Sequence, residues 1–126
     1  MAESLINAFL HGTIEGADFR HADHVEVAHG LLARGSFAHA AACLSDGLRR
    51  KAARAGRPGA YHETVTLAFL AVIAERRGAG GGDDFAAFAA ANPDLFDKSI
   101  LSRWYAPDRL ASDLGRQTFL LPEPSR

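Results

Sequence analysis

The stretch "FRHADHVEVAHG", residues 19–30, holds three of the chain's six histidines. Its apolar residues do not alternate as in a strand. Val25, Ala28, Leu31 and Leu32 recur at helical spacing, so the stretch opens an α-helix over about Arg20 to Arg34. His21 and His24 fall on the same stripe, one turn earlier, and so point toward the core. Glu26 lies opposite, toward water, and His29 sits on the stripe's edge. Inward imidazoles raise the question of what they do there.

The rest of the chain reads the same way. Alanine is abundant, β-branched residues are few, and no Asn-Gly hairpin signal joins alternating runs. A short helix is expected over Ser4 to His11, followed by a loop from Gly12 to Gly16. Asp18 would cap the second helix and Gly35 would stop it. Ser36 would cap a third helix, Phe37 to Ala55, ended by Gly56. "GRPG" is turn chemistry, and a fourth helix follows over Ala60 to Arg77. It is apolar over most of its circumference and therefore central, with Val65, Phe69, Val72 and Ile73 on its densest side. "GAGGG", residues 78–82, reads as a flexible linker inside the domain. Short helices are expected over Asp83 or Asp84 to Ala91, over Phe96 to Tyr105, and over Pro107 to Gly115, with an extended tail packed through Phe119 and Leu120. The fold class is all-α: a compact single-domain bundle, residues 1–126, of four main helices plus short C-terminal helices and the tail.

Composition narrows the setting. A chain of 126 residues is one domain, and 48% hydrophobic with 23% charged residues is ordinary globular composition. A net charge of −1 gives no field to attract nucleic acid or anionic lipid. The start has no secretory pattern, and no apolar stretch reaches membrane-spanning length. The single cysteine, Cys43, forms no internal disulfide. A soluble, cytoplasmic protein with no membrane or nucleic-acid partner is expected. Nothing in the sequence sets an oligomeric state.

Chain direction gathers the histidines. Short loops join helices two, three and four, so neighbours run antiparallel and the second and fourth point the same way. His21 and His24 lie in the first turns of one, and His62 in the first turn of the other. All three should meet at one end of the bundle, with His11, Asp94 and Asp97 within reach. Three imidazoles and a flanking carboxylate suit a divalent transition metal. Zinc takes His and Asp or Glu ligands, and two histidines with a carboxylate suit ferrous iron. His21, His24 and His62 are the candidate metal ligands, with His62 and Glu63 as candidate catalytic residues. No HExxH motif is present. Helix N-termini favour neutral imidazole, and also a bound anion without any metal. The competing reading is a non-enzymatic interaction or scaffold domain whose histidines satisfy a polar core.

Other features read as structure. His39 and Cys43 are spaced for a dyad but read as a solvated histidine beside an inert thiol. Arg49, Arg50, Lys51, Arg54 and Arg57 read as a wet cationic face at a helix C-terminus. Trp104 and Tyr105 read as core closure, with the Tyr105 hydroxyl able to reach the site.

The segments "FRHADH" (19–24), "YHETVT" (61–66), "NPDLFDKSILSRWY" (92–105) and "LASDLGRQTFLLP" (110–122) together resemble a group of small, all-helical bacterial proteins of uncharacterised function. The resemblance spans most of the chain. It implies His21, His24, His62 and Glu63 as site residues, with Tyr61 and Asp97 behind them, and no particular activity. The function expected is a histidine-lined site that takes a metal or a small-molecule ligand; whether it catalyses a reaction stays open.

Overall fold

A computed structural model of the protein describes residues 4–14, 19–78 and 84–123. Among these residues every regular element is helical, so the fold is all-α. The elements are α1 (Leu5–His11), α2 (His21–Arg34), α3 (Phe37–Arg54), α4 (Glu63–Arg76), α5 (Phe85–Ala91), α6 (Pro107–Leu110) and α7 (Asp113–Gln117). Three 3-10 turns, Pro58–Ala60, Pro93–Phe96 and Ile100–Arg103, join them. Among the described residues no helix is long and apolar enough to cross a membrane.

Side chains near each start explain the boundaries. Ser4 accepts from the Asn7 N–H at 3.2 Å, and Ser36 from the His39 N–H at 3.1 Å. Asp84 accepts from the Ala86 N–H at 3.0 Å. The cap expected from Asp18 lies outside the described residues. Instead the Asp23 carboxylate reaches back to the Arg20 N–H at 2.9 Å. Gly56 follows α3 with φ +73°, the left-handed region where glycine avoids a steric penalty. Gly35 ends α2 differently from expectation: its φ is −175°, extended backbone open to any residue. The glycine run expected as a linker lies, from residue 79 on, outside the described residues.

Two expected helices are redrawn. α4 starts at Glu63 rather than Ala60, because Pro58–Ala60 forms its own 3-10 turn and His62 is the N-cap. The helix expected over Phe96 to Tyr105 is instead interrupted, with 3-10 turns on either side of Asp97. Asp97 is the cause. Its carboxylate accepts from the Ser99 N–H at 2.9 Å and hydroxyl at 2.8 Å, a local turn that competes with helix.

α2 packs on α1, α3, α4 and α5. The centre is made of Val25, Val27 and Leu31 from α2, Leu70 and Ile73 from α4, and Phe88 and Leu95 beyond. α4 is central as expected, but its faces are shifted. Thr64 is fully buried while Val65 is 37% exposed. The extended tail accounts for Thr64. Its hydroxyl donates to the Thr118 carbonyl at 2.7 Å and accepts from the Leu120 N–H at 3.0 Å. The Tyr105 hydroxyl also holds the tail, at the Leu120 carbonyl 2.8 Å away, and so is not directed at the histidines. On α3, Ala40 and Leu44 are buried and Phe37 is exposed.

α1 sits unusually close to its neighbours. Ile6 occupies the space a Cβ on Gly30 of α2 would take, and the Phe9 ring does the same at Gly47 of α3. Only glycine at these two positions lets the helices approach so closely.

Candidate functional site

The N-terminal turns of α2 and α4 and the C-terminal half of α3 enclose an open groove of about 700 Å³. Two short connections reverse the chain twice, so α2 and α4 enter the groove from the same end. His21 and His24 come from α2, Leu48 and Lys51 from α3, and His62, Val65 and Phe69 from α4. Lys98 and Leu101 arrive from the segment after α5. The three histidines thus share one groove, but their chemistry differs.

His62 has both nitrogens engaged. Its Nδ1 accepts from the Val65 N–H at 3.1 Å, and its Nε2 is 2.6 Å from the Leu110 carbonyl. A backbone N–H only donates and a carbonyl only accepts, so the proton sits on Nε2. The ring caps α4 and ties it to the end of α6. To coordinate a metal or move a proton, it would have to break one of these bonds.

His21 donates from Nε2 to the Leu95 carbonyl at 3.0 Å, so Nδ1 is the lone-pair nitrogen of the neutral ring. Its ring meets Phe69 edge-on at 5.1 Å. His24 is the unusual one. Its ring lies tilted 4.4 Å from Phe19 and 6.5 Å from His21, yet its side chain makes no hydrogen bond among the described residues. Burial pushes its pKa down to about 4, and the nearby His21, Lys51 and Lys98 add to the effect. His24 is therefore neutral at neutral pH.

The carboxylates lie elsewhere. Glu63 accepts from the Tyr61 hydroxyl at 2.5 Å and from Arg49 at 3.2 Å, and the Arg49 guanidinium lies 4.7 Å over the Tyr61 ring. Burial and the bond to Glu63 keep the proton on Tyr61. This cluster closes α3 on α4; Tyr61 lines the groove, and Glu63 and Arg49 lie behind it. Asp94 takes two bonds from Arg76, each 2.9 Å, and one ion pair from Arg103 at 3.0 Å. Arg76 holds its carboxyl well below the usual range. Asp97 is likewise held low by the Ser99 bonds. Among the described residues, no three His, Cys, Asp or Glu side chains converge in a geometry that could hold a metal ion.

The basic run is not merely a wet face. Arg49 fastens Glu63, Arg54 donates to the Gly12 carbonyl, and Lys51 lies 5.3 Å over the Phe19 ring. Lys51 and Arg57 also line the groove. Sequence reading put Lys51 on the wet face, although it follows Leu44 by seven positions and Leu48 by three and so shares their side of the helix. Nothing local marks Lys98. His39 Nε2 and Cys43 Sγ do touch, at 3.6 Å, but neither lines the groove. No family model, curated protein or solved structure matches the chain.

Proposed function

We propose that the protein binds a small organic molecule in the groove between α2, α3 and α4, without a metal. The observation that carries this is His24. The His24 ring is half-buried, makes no side-chain hydrogen bond among the described residues, and lines a groove floored by Leu44, Leu48 and Phe69, where a bound ligand can replace water at its nitrogens. Ligand pockets of about 300–1,000 Å³ combine such an apolar lining with a few polar groups. The near-neutral chain fits a soluble cytoplasmic binder with no nucleic-acid partner.

Zinc or iron held by His21, His24 and His62 draws support from the shared groove alone. It would need a third donor, and both His62 nitrogens are engaged. Glu63 and His62 as a catalytic pair meet the same difficulty, since Tyr61 and Arg49 hold Glu63. Binding is therefore the reading we favour over catalysis.

A neutral fluorescent probe, phenylnaphthylamine, tests the proposal. It should bind saturably, one per chain, and Ala52→Trp or Val65→Trp should block it by filling the groove. No saturable binding, or binding indifferent to both tryptophans, would refute the reading. Chelator should leave the melting temperature unchanged. Stabilisation by zinc that disappears in His21→Ala and His24→Ala would restore the metal reading instead.

A further inference from the structure

We infer that the groove's ligand is an organic anion, its negative head held at His24, Lys51 and Lys98 and its apolar body laid along α3 and α4. This rests on the groove being a binding site. The chain as a whole carries 14 basic and 15 acidic residues, so an average stretch of surface is balanced. The groove is not. Lys51, Arg57 and Lys98 line it, and no carboxylate does among the described residues.

Pairing sharpens the contrast. Arg49 is matched with Glu63, and Arg76 and Arg103 with Asp94. The side chains of Lys98 and Arg57 make no ion pair or hydrogen bond among the described residues. Cations gathered beside a low-dielectric wall repel one another, and an anion placed among them relieves that repulsion.

His24 fixes where the head goes. Lys51 and Lys98 line the same groove as His24 and both act electrostatically on its ring, against the opposing pull of Asp23 outside the lining. A neutral imidazole donates one N–H to an anionic oxygen while the two ammonium groups supply charge. At the first turn of α4 the Val65 N–H is already taken by His62. Beyond the head, Leu44, Leu48, Val65 and Phe69 offer an apolar bed. A carboxylate, sulfonate or phosphate head shares this chemistry.

Two probes with one skeleton separate the claims: anilinonaphthalene sulfonate, and phenylnaphthylamine, which lacks the sulfonate. The full chain should bind the sulfonate more tightly than the neutral amine. Lys98→Gln and the shape-preserving His24→Phe should each weaken the sulfonate by about two- to tenfold. They should change the amine by less than about twofold. Added salt should weaken the sulfonate alone. If the amine binds as tightly, or the variants weaken both probes alike, the anion inference is wrong while the groove remains a binding site. If neither probe binds, the groove reading fails and this inference fails with it. Sulfonate binding that survives Ala52→Trp is adventitious adsorption and overturns the inference.

Discussion

His24 and His62 meet the protein interior in opposite ways. His62 has a partner for each nitrogen, and His24 has none among the described residues. The bare ring has a measurable cost in acid. Its pKa is about 4 in the folded chain against 6.5 for an unperturbed histidine. Between those values the unfolded chain takes up a proton that the folded chain refuses. Stability contributed by His24 is thus complete above about pH 6.5 and is lost as pH falls toward 4. The full loss is on the order of 3 kcal/mol. Urea unfolding at pH 7 and pH 4.5 should show a steep decline in the native chain and a shallower one in His24→Phe. Equal declines would mean that His24 is not buried in its neutral form. The inward phase of His21 and His24 was legible, since three-residue spacing on an apolar stripe is a local property. The role of His62 was not, because the Leu110 carbonyl lies 48 positions away.

At the scale of elements, α1 depends on two glycines in other helices. Glycine inside a helix costs about 1 kcal/mol relative to alanine. Judged by propensity alone, Gly47→Ala should stabilise α3. The Phe9 ring reverses that expectation, because it already fills the space of the new methyl group. Overpacking of this kind costs about 1–3 kcal/mol. Gly47→Ala should therefore lower the melting temperature, and adding Phe9→Leu should recover part of the loss. A stabilised Gly47→Ala chain would show that α1 is not docked there. The start of α3 could be read from Ser36, since a cap acts within three residues, whereas the sequence alone left Asp83 and Asp84 equivalent before α5 and did not mark Ser4 as the cap of α1. The late start of α4 and the split around Asp97 escaped, because side chains there override helical propensity.

Across the whole molecule, the order and direction of α2, α3 and α4 followed from short connections, and the shared histidine groove followed from direction. The groove's cationic lining did not, because a concavity is defined by where side chains are missing. The tail was expected to pack through Phe119 and Leu120. Leu120 packs against the core while Phe119 is exposed, and backbone groups hold the tail at Thr64, Tyr105 and Arg109. A chain ending at Gln117 should lose about 2–4 kcal/mol, from the stranded hydroxyls of Thr64 and Tyr105. Thr64→Val should cost less in the shortened chain than in the full one, which thermal unfolding of the four proteins can measure. Equal costs would mean that the tail does not pair with Thr64.

That fastening also orders events during synthesis. Thr64 and His62 find partners at Thr118 and Leu110, 54 and 48 positions further along. A ribosome adding about 5–20 residues per second makes α4 several seconds before it makes those carbonyls. α1, α2 and α3 touch through contacts closer in sequence and can associate in the interval. α4 must wait with its first turn only partly tied down. The groove wall that α4 supplies is therefore among the last parts of the newborn chain to settle.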